Sequence, residues 1–207
     1  MKVRAKICGI TRVADGLVCA QQGADAIGLV FYPPSTRHVA IAQAREIARA
    51  LPPFVTTVAL FVNPAADEVE AVLRAVRPDV LQFHGDEPPE FCRRFDVPYL
   101  KAVRVTASLN LVEYAARHRD AQGLLLDAFV AGQAGGTGQT FDWALIPAGL
   151  PLPVILSGGL EPANVEAAIR QVKPWAVDVS SGVEAAKGIK DAAKIAAFMQ
   201  GVRNATL

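Results

Sequence analysis

Lys6-Ile7-Cys8-Gly9-Ile10-Thr11 closes an apolar, β-prone run that begins at Val3, and a helix-like stretch opens beyond Thr11. A strand that stops at a thiol with a glycine directly behind it reads as the start of a βα unit. Strand tips of this kind are where α/β proteins carry reactive groups. Side-chain alternation sets Lys6 and Cys8 on one face of the strand. The fold depends on how often the unit recurs.

It recurs to the end of the chain. Further strand patterns lie at 26–31, 55–62, 80–83, 99–103, 123–127, 154–156 and 176–179. Helical patterns follow the strands at 12–22, 41–50, 65–76, 89–95, 109–118, a short one from 142, 162–172 and 191–202. Asn63-Pro64 reads as an N-cap with proline at the first helical position. Strands with nearly continuous apolar runs call for a parallel sheet buried on both faces. Repeated to this length, the pattern predicts an α/β fold, a single-domain (β/α)8 TIM barrel at the short end of its size range. An open doubly wound sheet is the rival. Even spacing of the units favours the barrel, as do charges inside the strands, which a barrel's inward face can hold near its mouth. No linker or composition break appears, so residues 1–207 are read as one domain.

The 207 residues are 52% hydrophobic and 20% charged, ample for a large core. A net charge of +1 gives no reason to expect nucleic acid or an anionic membrane as partner. Met1-Lys2 leads straight into strand, with no secretory segment, and no apolar run nears the roughly 18 residues of a membrane span. Three cysteines without close pairs argue against a disulfide framework. A cytoplasmic protein is expected, monomer or homodimer.

Several residues could carry chemistry, each beside a plainer reading. Cys8 is a buried small hydrophobe like Cys19 and Cys92, or a reactive thiol whose pKa the nearby Lys6 lowers. Asp127, at the tip of the sixth strand and opposite the first, is a cap or a carboxyl facing Cys8 across the mouth, one acting as acid and the other as base. Lys6 needs a buried counter-charge, and Asp178 on the adjoining eighth strand supplies it, as a structural or site-shaping pair. Arg37 is a solvated loop residue or a clamp for a substrate carboxylate. His84 is catalytic or simply hydrogen-bonded. Ser157-Gly158-Gly159 and Ser180-Ser181-Gly182 are tight turns, or a phosphate site completed by a short helix N-terminus. The histidines and cysteines show no metal-ligand spacing, so no metal is expected.

These segments resemble phosphoribosylanthranilate isomerase. The matching stretches are Lys6–Thr11, Phe31–Arg37, Leu60–Asn63, Gln82–Gly85, Lys101–Arg104, Leu124–Asp127, Gly135–Gly138, Phe141–Trp143, Ser157–Leu160 and Asp178–Glu184. The resemblance implies a cofactor-free barrel acting on a small phosphosugar in tryptophan biosynthesis, through an Amadori rearrangement. It implies Cys8 as general base, Asp127 as general acid and Arg37 as ligand of the anthranilate carboxylate. Phosphate would fall to Gly158, Gly159, Ser180, Ser181 and Gly182, with the 128–140 loop closing over the site. Another phosphosugar barrel would place an aspartate where Cys8 stands. A non-catalytic phosphometabolite binder would need neither Cys8 nor Asp127.

Overall fold

The computed structural model describes residues 2–128 and 142–205. Its strands are β1 (Arg4–Cys8), β2 (Ala26–Val30), β3 (Thr56–Phe61), β4 (Val80–Phe83), β5 (Tyr99–Val105), β6 (Gly123–Ala128), β7 (Val154–Leu156) and β8 (Ala176–Val179). They are hydrogen-bonded in chain order, all parallel, and β8 pairs with β1 to close the ring. The helices are α1 (Val13–Gln21), α2 (Ile41–Ala50), α3 (Ala66–Val76), α4 (Pro89–Arg93), α5 (Leu111–Arg117), α6 (Val165–Val172) and α7 (Ala192–Asn204). The expected single barrel is what the ring forms.

Alternation builds two cores. The outward residues Ala5, Ile7, Ile27, Leu29, Ala59, Phe61, Leu81 and Phe83 pack with the helices in the main cluster. Leu100, Ala102, Leu125, Ile155 and Ala176 fill the barrel interior at its closed end. That apolar plug leaves the C-terminal tips of the strands to the polar inward residues.

Several local expectations change. Asn63 does not cap α3; its φ is +47, and its Oδ1 accepts from the Asp86 N–H. The cap is Ala65, whose N–H donates to the Glu68 carboxylate. The helix expected from Asp142 is a single 3-10 turn, Trp143–Leu145, capped by the Asp142 side chain. After β8 come a 3-10 turn, Ser181–Val183, and an antiparallel hairpin of β9 (Glu184–Ala186) and β10 (Ile189–Lys190), absent from the sequence reading. The hairpin strands are three and two residues long. So short a pair shows no periodicity to read.

Candidate active site

The rim of the barrel begins at Cys8. The thiol packs among Val30 and Leu60, with Tyr32 and Val62 beside them, and is buried. Its register partner on β2 is Gly28. A methyl group at position 28 would stand 2.6 Å from Cys8 Sγ, so only glycine leaves room for the thiol. Gly28→Ala is expected to push the sulfur aside and lower kcat on the order of tenfold to a hundredfold. A cooperative melt would show the fold intact; unchanged kcat in such a protein would mean that the sulfur's position does not matter.

Below Cys8, the Lys6 ammonium donates to Asp178 Oδ1 at 2.7 Å, both side chains buried. The pair spans the β1–β8 seam, where Lys6 and Asp178 stand in register. Ser157 Oγ lies 3.5 Å from the other Asp178 oxygen. Burial pushes the Cys8 thiol up, the Lys6 ammonium and Lys190 pull it down, and Asp178 raises it again. Burial wins, and the pKa lies above the ordinary 9.0. The lowering expected from Lys6 alone is therefore reversed, because desolvation disfavours the thiolate more than one partly neutralised cation favours it.

The resting group is a thiol. Thiolate ultraviolet absorbance, taken as wild type minus Cys8→Ser, is expected to appear only above pH 9.0. Cys19 and Cys92, pushed to about 12 by burial, do not interfere near that pH. A transition below pH 9.0 would show the cations prevailing instead.

Asp127 is buried at the tip of β6. In the ring β1 faces β5; β6 lies three strands round, separated from β1 by β7 and β8. Asp127 thus stands one strand short of diametrically opposite Cys8, on the far side of the mouth. Its Oδ2 is 3.1 Å from His84 Nε2, and His84 Nδ1 is 3.0 Å from Gln82 Nε2. His84 is thereby hydrogen-bonded on both ring nitrogens.

Arg37 lies in the loop after β2, its stem folded over Gly9. A Cβ on Gly9 would come within 2.5 Å of Arg37 Cδ, and the glycine has φ +75. The guanidinium already makes a two-pronged bond to Glu184, Nε to Oε1 at 2.7 Å and Nη2 to Oε2 at 2.9 Å. One edge is spent on orientation, and the end-on edge at Nη1 is left for a ligand. Glu184 also accepts from Lys190 Nζ at 3.0 Å, and Lys190 Nζ donates to the Ser180 carbonyl at 2.9 Å. Burial pushes the Glu184 carboxyl up, but the bond from Arg37 and the charge of Lys190 outweigh it and hold it below the usual carboxylate value. The unforeseen hairpin thus braces Arg37 against β8.

The two glycine turns lie between Asp127 and Cys8 along the rim. Gly158 and Gly159 have φ of +84 and +66, and among the described residues their amides have no backbone partner. Gly182 passes so close to the Leu160 carbonyl that a side chain there would strike backbone. Ser180 Oγ donates to the Cys8 carbonyl at 3.0 Å, which ties β8 to β1. Ser181 opens a 3-10 turn of three residues, too short for the helix dipole expected at this place. What the turns offer an anion is amide N–H groups.

Several polar residues went unsingled in the sequence. Gln82 and Lys101 interrupt apolar strands, the signal that could have marked them. Lys101 is fully buried; its Nζ donates to Glu87 Oε2 at 2.8 Å and to the Gly85 carbonyl at 2.6 Å, fixing the loop behind His84. Arg104 stands in register with Asp127, and its buried Nε has no hydrogen-bond partner among the described residues. Glu184 was visible only as a letter in a matching stretch. No group of three His, Cys, Asp or Glu among the described residues is placed to hold a metal. No helix among them is long and apolar enough to cross a membrane. The 128–140 loop expected to close over the site lies, beyond its first residue, outside the described residues.

The sequence matches the family model for N-(5'-phosphoribosyl)anthranilate isomerase over residues 5–201. It is 57% identical over 202 residues to that isomerase of Nitrosospira multiformis, covering 98% of this chain and 97% of the relative. The enzyme of Pseudomonas syringae pv. tomato is 60% identical over 200 residues, 97% of each chain. A crystal structure of phosphoribosylanthranilate isomerase from Thermotoga maritima is 42% identical, with a TM-score of 0.88 over 98% of this chain and 99% of that one. Another, in complex with reduced 1-(o-carboxyphenylamino)-1-deoxyribulose 5-phosphate, has a TM-score of 0.85 at 42% identity over the same shares.

Proposed function

This chain belongs to the N-(5'-phosphoribosyl)anthranilate isomerase family, and on that footing we propose that Cys8 and Asp127 carry its reaction as proton acceptor and proton donor. The protein isomerises phosphoribosylanthranilate to the carboxyphenylamino deoxyribulose phosphate in tryptophan biosynthesis. One observation carries the residue roles: the ring order β6, β7, β8, β1 sets the glycine turns between Asp127 and Cys8. A substrate anchored by its phosphate at β7 and β8 has its sugar within reach of both groups. Arg37, one strand beyond Cys8, takes the anthranilate carboxylate on its end-on edge.

Asp127 gives its proton to the furanose ring oxygen as the C1′–O bond breaks, and the anilino nitrogen lone pair forms the iminium. That cation beside Cys8 favours the thiolate which burial suppresses in the empty site, the thiol releasing its proton to solvent as the iminium forms. The thiolate takes the C2′ proton, the electrons form the C1′=C2′ enolamine, and tautomerisation gives the ketone. Because the iminium acidifies C2′–H, a base of moderate strength suffices. The test follows loss of fluorescence of freshly formed substrate. Turnover surviving removal of either side chain ends that side chain's assignment.

A further inference from the structure

Arg37, the proposed carboxylate ligand, lacks the freedom of an ordinary loop arginine. Such a side chain offers five N–H groups and loses rotamer entropy when a ligand fixes it. Here both halves are fixed beforehand. The stem lies on Gly9, where a Cβ would come within 2.5 Å of Arg37 Cδ. The Nε and Nη2 edge is taken by the buried Glu184 carboxylate. What remains is the end-on pair of N–H groups on Nη1 and Nη2, coplanar and matched to a second carboxylate.

Glu184 is held in its turn. Its Oε1 also accepts from Lys190 Nζ at 3.0 Å and from the Gly188 amide at 3.3 Å. Lys194 Nζ donates to the Glu184 carbonyl at 2.8 Å, and the Lys190 amide donates to Asp15 Oδ2 at 3.1 Å, which pins the hairpin to α7 and α1. A carboxylate in this place has an electrostatic cost, since an Arg37–Glu184 pair alone is neutral and attracts an anion weakly. Lys190 offsets it. Its side chain has no exposure, and it donates to Glu184 Oε1, to the Ser180 carbonyl at 2.9 Å and to Ser180 Oγ at 3.3 Å. An ammonium has three N–H groups, so none is left for a ligand and what Lys190 adds is charge. Burial lowers its pKa below the ordinary 10.5, and Glu184 is the largest influence opposing that fall. One arginine and one lysine against one glutamate leave the cluster positive.

We propose that Glu184 is a positioning residue for substrate recognition: it holds Arg37 end-on to the ligand while Lys190 restores the positive charge that Glu184 cancels, so that tight binding requires a carboxylate on the aryl group. This rests on Arg37 being the carboxylate ligand.

The test compares two ligands by titration calorimetry, reduced 1-(o-carboxyphenylamino)-1-deoxyribulose 5-phosphate and the same compound without its carboxylate. Wild type is expected to bind the first about ten- to a hundredfold more tightly, the worth of a charge-assisted pair. Glu184→Gln keeps the shape but sets an amide N–H against a guanidinium N–H. It is expected to weaken the carboxylate ligand about tenfold and the other by no more than about twofold. Glu184→Asp keeps the charge but is too short to reach both Arg37 nitrogens from the same backbone. It is expected to lose the same preference, and it carries the test alone if the glutamine variant does not melt cooperatively. A preference lost in Glu184→Gln but kept in Glu184→Asp would make the role one of charge and overturn positioning. Equal weakening of both ligands would make Glu184 a structural brace and overturn the proposal, as would an unchanged preference or tighter binding of the carboxylate ligand. Arg37→Met tests the premise separately. If it erases the preference while the Glu184 variants keep it, only the role of Glu184 fails; if the preference survives it, the assignment of Arg37 fails too.

Discussion

Enzyme carrying Cys8→Ala is expected to lose about 10²- to 10⁴-fold in kcat, and Asp127→Asn a similar factor, while both still bind a reduced product analogue within a few-fold of wild type. The reason is the division of labour around the rim. On the proposed roles, affinity comes from the glycine turns after β7 and β8 and from Arg37, none of which either substitution replaces. Cys8→Ala leaves nothing on that side of the site to accept the C2′ proton. Asp127→Asn keeps a partner for His84 but has no acidic proton for the ring oxygen. Cys8→Ser is the sharper control, since it preserves volume and polarity but not an accessible anion. It should be as inactive as Cys8→Ala. A Cys8→Ser enzyme near wild-type rate would make the residue a packing element, and loss of analogue binding in either variant would move it from chemistry to recognition.

The second large effect concerns the pair beneath the thiol. Lys6→Met leaves the Asp178 carboxylate buried at the seam where the barrel closes. Breaking such a pair from one side costs about 3–5 kcal/mol. For a domain near 200 residues this is a fall in melting temperature of about 10 °C. Lys6→Met with Asp178→Leu removes both charges and should recover most of the loss, because an apolar pair in that volume carries no desolvation penalty. Activity should not recover, since the thiol has then lost the first of the two cations that restrain its pKa. Full activity in the double variant would confine the pair to a structural role.

The sign with pH is fixed by Lys6. Burial lowers its pKa, but Asp178 and Cys8 outweigh that and leave it above 10.5. A cation with a raised pKa contributes stability below its unfolded value and loses it as pH climbs through the folded one. The wild type should therefore lose this contribution only in strongly alkaline solution. Loss near neutrality would contradict the pairing.

The strand–helix rhythm, the glycine turns and the places of Cys8, Asp127 and Arg37 could be read from the chain. Each is a local property: period-two alternation chooses the inward residues, and a glycine where a strand stops marks its tip. Lys6 with Asp178 was also within reach, because a closed ring must bring the first strand beside the last. His84 was seen at its strand tip, but not that it stands between Gln82 and Asp127. Gln82 and Lys101 stood at the head of matching stretches but were given no role. The hairpin of Glu184 and Lys190 left no periodic trace at all.

The sequence by itself thus determined a barrel and the chemical groups on its rim, since repeat length and turn chemistry act over a few residues. Only the tertiary structure decided how those groups are tuned. Arg37 meets Glu184 across 147 residues, and Lys6 meets Asp178 across 172. Cys8 is a thiol at rest because closing the ring desolvates it more strongly than Lys6 can offset. Charge, tautomer and solvation depend on what stands within a few ångströms, and that is set when distant strands close into a ring.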